Sequence, residues 1–242
     1  TSILAQTWRN LELIIVNDCS SDNTNIILQD IAEQDSRLRL LHNKVNVGPY
    51  VSKNLALQQA RGKWITGHDA DDWAHPQRLE RHYAAGHQSR ASVADMLRLM
   101  PNGMFGQFTK LGEFSRDGVA RRASISCLFE ADFLRNTLGY WDSVRYGADS
   151  EMISRARAVL GSEFHDLDEL GMLCLDLETS LTNDPLTGIK TATGLSDSRR
   201  TYKRSWAAIH KTLTKNSAYM DFPQKTPRYD AADEMAVTEE DI

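Results

Sequence analysis

The chain has 242 residues, 41% of them hydrophobic and 25% charged, and a formal net charge of -5. That length can bury a full core as one large domain or two small ones, and the composition is that of an ordinary soluble globular protein. The acidity is local: Tyr229 to Ile242 holds six acids and no Lys or Arg, so the remainder sums to about +1 and offers no basic surface for nucleic acid.

Cys19, Cys127 and Cys174 lie far apart without C-x-x-C spacing, which fits a reduced, cytoplasmic chain. No apolar stretch approaches the ~18 residues of a membrane span, and no signal peptide is visible. Peripheral association at the inner face of a membrane is the one membrane contact left open. The chain begins at Thr1, already in mid-pattern, and reads as a fragment.

In chain order, Leu11–Val16 is a short, nearly continuous apolar run, as expected of a strand buried on both faces. Turn residues from Asn17 to Thr24 follow, then a helical stretch with Ile27, Leu28, Ile31 and Ala32 on one side. Leu38–Leu41 predicts a second strand, Tyr50–Arg61 a helix stopped by Gly62, and Lys63–His68 a third strand. A helix from Pro76 to about Gln88 completes a strict strand–helix alternation, which predicts an α/β fold with a mostly parallel sheet flanked by helices.

The second half is less regular and predicts a mixed arrangement. Met96–Met100 and Met104–Phe108 flank Pro101-Asn-Gly103 as a hairpin; Ala123–Phe129 reads as a strand, and Ala131–Thr137 as a short helix. Asp149 opens a helix to Leu160, short strands are expected at Glu163–Leu167 and Met172–Leu177, and Arg199 to about Thr214 returns to helix. Between Ser180 and Ser198 lies a long loop of a kind that is either functional or disordered. Residues 221–242 have few large apolar groups and are expected to be loosely ordered.

The chemistry concentrates at His68-Asp-Ala-Asp-Asp-Trp73. If the preceding strand continues, Asp69 and Asp71 share a side and Asp72 points away. Two carboxylates aimed at one spot repel unless a cation lies between them, and oxygen-ligated Mn²⁺ or Mg²⁺ bound to a nucleotide diphosphate suits them. The plain alternative is an acidic turn in which Asp71 or Asp72 caps the next helix. Asp18 also follows a strand, and ligands of an open parallel sheet bind beyond its carboxyl edge, so Asp18 and Asp69 would face one crevice.

Together, Ser2–Trp8 with Leu11–Thr24, Asn46-Val-Gly48 with Ser52–Leu57 and Ala60-Arg-Gly62, and His68–Trp73 with Pro76 and Arg78-Leu79 resemble the family-2 nucleotide-sugar glycosyltransferases of the GT-A fold. The resemblance covers roughly residues 2 to 165 and lacks the family's first strand. It implies a Rossmann-like donor half at 1–90, and an acceptor and catalytic half at 91–220 with a lid loop near 180–200. It further implies that Asp18 reads the nucleotide base, that Lys53 lies near base or phosphates, and that Asp69 faces ribose and metal while Asp71 binds the metal.

Tyr146–Met152 resembles the family's Glu-Asp motif, with Ala148 in place of the Glu, which makes Asp149 the implied base and Glu151 a candidate to share the role. Read locally, Asp18 is an Asx turn, Lys53 a solvated residue and Asp149 a helix N-cap. Arg199 and Arg200 are either part of a lid over the diphosphate or a solvated helix face. The activity implied is an inverting, metal-dependent transfer of the hexosyltransferase type. It would run from a UDP-sugar to a hydroxyl of a glycan, lipid-linked or other acceptor, in polysaccharide or glycan biosynthesis. The rivals are a degenerate non-catalytic module of the same fold and another metal-dependent nucleotide enzyme, a nucleotidyltransferase or phosphohydrolase.

Overall fold

The computed structural model describes residues 1–106, 115, 117–190, 194–224, 227–237 and 242. In chain order the elements are β1 (Leu13–Asn17), α1 (Thr24–Gln34), β2 (Leu38–His42), α2 (Pro49–Gln59), β3 (Trp64–Thr66), β4 (Trp73–Ala74), α3 (Arg78–Gly86), β5 (Ala91–Leu99), β6 (Arg121–Arg122) and β7 (Leu128–Glu130). The short α4 (Ala131–Phe133), α5 (Ala148–Leu160), β8 (Phe164–Leu175), β9 (Ile189–Lys190), β10 (Gly194–Leu195) and α6 (Asp197–His210) follow. They form two compact units: residues 1–8, 66–129 and 160–200 in one, and residues 9–65, 130–159 and 201–242 in the other. The units interleave along the chain instead of dividing it near residue 90, because each is closed by segments distant in sequence.

In the second unit β1 and β2 pair in parallel, Leu13 opposite Leu38 through Asn17 opposite His42. Gly48, with φ 82°, turns the chain into α2, and Pro49 follows at the first helical position, where its missing N–H costs nothing. One face of α2 is buried: Val51 joins Val47 and Val237 in an apolar cluster on which Leu55 and Phe222 pack. Asn54 is wholly buried and exchanges hydrogen bonds with the backbone of Trp141, at 2.8 and 2.9 Å.

Behind α5 sits a buried ion pair, Arg155 Nε to Glu151 Oε1 at 2.8 Å, both side chains fully enclosed. Arg155 also donates to the carbonyls of Ala218 and Tyr140, and Tyr229 donates to Glu151 Oε1 at 2.9 Å. Residues expected to form a loose acidic tail pack here. Tyr229, Met235 and Val237 are buried, and the backbone of Met235 and Val237 bonds to Arg145 and Ser143. The few apolar groups of that segment are spaced so that each reaches the interior, which composition alone does not reveal.

In the first unit the sheet is mixed. β8 runs parallel to β5, while β4 pairs antiparallel with β8, and β6 and β7 pair antiparallel with β5. The two strands expected at 163–167 and 172–177 are one strand, because irregular register with β5 around Asp95 absorbs the break. The hairpin at Pro101–Gly103 forms, with Gly106 N donating to Arg98 O at 2.9 Å, and its expected extension to Phe108 lies outside the described residues. Met96, Ala123, Met172 and Cys174 form the adjoining core. Among the described residues, no helix is long and apolar enough to cross a membrane.

Candidate functional site

Two groups of candidate residues emerge, one in each unit. The first is built around the start of α2. Asp18 follows β1, and its carboxylate turns toward the loop before α2. Oδ1 accepts from Asn43 Nδ2 at 2.8 Å and Val47 N at 2.9 Å, and Oδ2 accepts from Gly48 N at 2.7 Å. Asp18 is not the Asx-turn residue; Asn17 takes that role, its Oδ1 accepting from Ser20 N at 3.0 Å. A carboxylate has about four acceptor positions, so Asp18 keeps one on Oδ2 for a donor from outside.

On α2, Tyr50 O–H donates to Asp149 Oδ1 at 2.9 Å and accepts from Gly147 N at 3.2 Å. Lys53, one turn on, sets its ammonium 5.4 Å from the centre of the Tyr50 ring, within cation–π range. Thus α2 gathers Asp18, Lys53 and Asp149, residues up to 131 positions apart in the chain.

Asp149 is the second residue of α5, not the residue that precedes the helix. A carboxylate in the first turn of a helix is favoured by the helix dipole. Glu151, considered as a partner in base catalysis, is fully buried in the ion pair with Arg155. Burial opposes its charge, but Arg155 and the hydrogen bond from His210 outweigh it and hold the carboxyl below its usual range. It is spent on structure. His210 is tied to Ser154 and Tyr229 in the same network.

The second group surrounds the acidic turn. β3 ends at Thr66, before the acids, so strand alternation does not govern them; Asp72 N closes a turn onto Asp69 O at 3.2 Å. Asp71 is exposed, Asp69 half-buried, and Asp72 is the acid drawn inward, where Cys174 Sγ donates to its Oδ2 at 3.3 Å. Burial first, then the charges of Asp69 and Asp71, push the Asp72 carboxyl up to about 6.

Burial accounts for most of that rise, and the neighbouring charges of Asp69 and Asp71 add a smaller part, which a divalent cation would relieve. Among the described residues no cluster of three His, Cys, Asp or Glu forms a closed metal site. Two hard carboxylate oxygens nonetheless suit Mn²⁺ or Mg²⁺, which take their remaining ligands from phosphates and water.

Beneath the turn Arg78 is buried, its Nη2 donating to Thr66 Oγ1 at 2.6 Å and Gly67 O at 3.1 Å. His68, half-buried beside it, is pushed down to about 4 by desolvation and by the Arg78 charge. Gly67 is required where it stands: a Cβ there would lie 2.4 Å from Ile125 O.

Arg199 and Arg200 belong to a third place. Arg199 bonds to the carbonyls of Thr187 and Leu181, and Arg200 Nη1 to Leu195 O at 2.7 Å, with an ion pair to Asp197. Both tie the 181–197 loop to the start of α6. Trp141 and Trp206 are core residues, and Trp73 is exposed.

Residues 1–140 match the family model described as glycosyl transferase family 2. The chain belongs to that family. An uncharacterised glycosyltransferase of Haemophilus influenzae is 41% identical over 81 residues, 34% of this chain and 25% of that protein. The succinoglycan biosynthesis protein ExoO of Rhizobium meliloti is 31% identical over 179 residues, 66% of this chain and 51% of that protein.

This family-2 chain thus spans between a quarter and about half of the length of these relatives. Its fold is that of S. aureus TarS 1–349, solved with UDP-GlcNAc: TM-score 0.57, 19% identity, covering 74% of this chain and 54% of that one. The TarS structure with UDP gives 0.55 at 18% identity, covering 73% and 55%. The α/β GT-A class read from the sequence is therefore the class observed.

The family-2 motifs pointed to Asp18, Lys53, Asp69, Asp71 and Asp149. They did not point to Asn43, Tyr50 or Arg145, whose Nη1 donates to Asn46 Oδ1 at 3.1 Å beside the Asp18 loop. Asn43 alone carried a signal, standing at the carboxyl end of β2 where ligands of parallel strands collect.

Proposed function

We propose that this family-2 chain is the donor-binding and catalytic part of an inverting, metal-dependent glycosyltransferase that moves a sugar from a UDP-sugar to an acceptor hydroxyl in polysaccharide or related glycan synthesis. The observation that carries this reading is the gathering of Asp18, Lys53 and Asp149 around the first turns of α2. Asp18, whose loop is already built by its other hydrogen bonds, offers its remaining acceptor position to a ring N–H of the base. Lys53 places a positive charge by the diphosphate.

Asp69 and Asp71 are the residues to hold Mn²⁺ or Mg²⁺; when bound, such a cation neutralises charge that grows on the departing nucleotide. Asp149 takes the acceptor hydroxyl proton as the new bond forms on the face opposite the leaving diphosphate. Arg199 and Arg200, engaged with loop carbonyls, hold the base of the lid at 181–197. The curated relative ExoO supports the polysaccharide setting and the TarS complexes support a uridine donor; both come from proteins longer than this chain.

The test is UDP release from a panel of UDP-sugars, with Mn²⁺ and with the cation chelated. Turnover should depend on the cation, and Asp71→Ala should lower it by about a hundredfold or more. Parent-like turnover of Asp71→Ala would remove the acidic turn from the mechanism.

A further inference from the structure

Tyr50 is absorbed neither by the fold nor by the roles assigned above. It is buried on α2, yet its hydroxyl is directed at the carboxylate of Asp149 and not left at the end of an apolar packing contact. A phenol has one proton to give. Here the proton goes to Asp149 Oδ1, while the phenolic oxygen accepts the backbone N–H of Gly147. Gly147 presents that N–H from a φ of +91°, a conformation in which a side chain would be strained. The sequence Gly147 N–H, Tyr50 O–H, Asp149 Oδ1 is therefore a directed chain of donors ending on one carboxylate oxygen, and each link polarises the next.

From this geometry we infer that Tyr50 is a positioning residue for proton transfer to Asp149, an inference that rests on Asp149 being the base. The hydrogen bond occupies Oδ1 and fixes the carboxylate plane, which leaves Oδ2 as the oxygen that meets the acceptor hydroxyl. Charged groups beside this chain include Lys53, over the Tyr50 ring, Arg145, whose side chain lies 3.6 Å from where a Cβ on Gly48 would stand just before α2, and Glu151, which is paired with Arg155 in the interior. Tyr50 itself neither gains nor loses a covalent partner; its proton stays on the phenol throughout.

Tyr50→Phe removes one oxygen and keeps the ring that packs α2. With the UDP-sugar of the panel that turns over fastest, and water or a sugar as acceptor, kcat should fall about ten- to a hundredfold, the size of one charge-assisted hydrogen bond. KM for the UDP-sugar should hold, so that the loss falls on kcat alone. A tyrosine that merely packs would give the parent's kcat as well as the parent's KM in the Phe variant, and that result overturns the inference. Asp149→Asn separates the two readings. If it is inactive while Tyr50→Phe behaves as the parent, the positioning role alone fails; if it turns over like the parent, the assignment of the base fails with it.

Discussion

Asp18 shows how one side chain can be both scaffold and reader. Three of its acceptor positions build the loop that begins α2, two of them on backbone N–H groups that would otherwise lack a partner. Asp18→Ala should therefore destabilise the protein with no nucleotide present, by about 2 kcal/mol on the usual scale for hydrogen bonds to a charged acceptor. Urea unfolding of the ligand-free protein measures it; a change near zero would mean that the loop is held by Val47 packing instead. Cys19, with φ 61°, shows the strain that this tight exit from β1 imposes on a residue with a Cβ.

At the scale of elements, α5 carries two kinds of carboxylate only two residues apart. Asp149 faces Tyr50 in the first turn, while Glu151 enters the interior and is neutralised by Arg155. Just upstream, Asp142 is buried and accepts from Tyr202 O–H at 2.9 Å. Burial and the charge of Glu151 push the Asp142 carboxyl up to about 6 from an ordinary 3.8. The folded protein thus binds more protons than the unfolded chain between those values, and stability contributed by this group falls as pH rises through that window. Asp142→Asn should gain on the parent between about pH 4 and about pH 6.5, read as the difference of unfolding free energies at each pH. Asp72 titrates in the same range, but its share cancels in that difference. A difference independent of pH would mean that Asp142 is ionised throughout.

At the scale of the whole molecule, chain closure decides what composition left open. Tyr229, Met235 and Val237 come from a segment that is acidic and sparse in apolar groups, yet all three are buried. Val237 packs beside Val47 and Val51, so the end of the chain supports the helix that carries Tyr50 and Lys53. Removal of residues 229–242 should cost roughly 5 kcal/mol, at about 1.5–3 kcal/mol for each large side chain whose burial is lost. The lost midpoint in thermal unfolding checks this, and an unchanged midpoint would refute the packing role.

Local periodicity and turn chemistry were enough to recover β1, β2, α2, α3 and α5 within a few residues, and the order of weak motifs was enough to reach the family. They were not enough for the second sheet, where β8 runs through an irregularity that reads as a break, or for the direction of the acids after β3, which stand in a turn and not on a strand. Sequence by itself determined the residue types: carboxylates after strands, a cation on α2, an acid opening α5, because these follow from neighbours in the chain. Only the tertiary structure decided what each one touches. Hydrogen bonds between Tyr50 and Asp149, or between Asp18 and the loop before α2, join positions whose separation along the chain leaves no periodic trace, and burial alone told the structural Glu151 from the accessible Asp149.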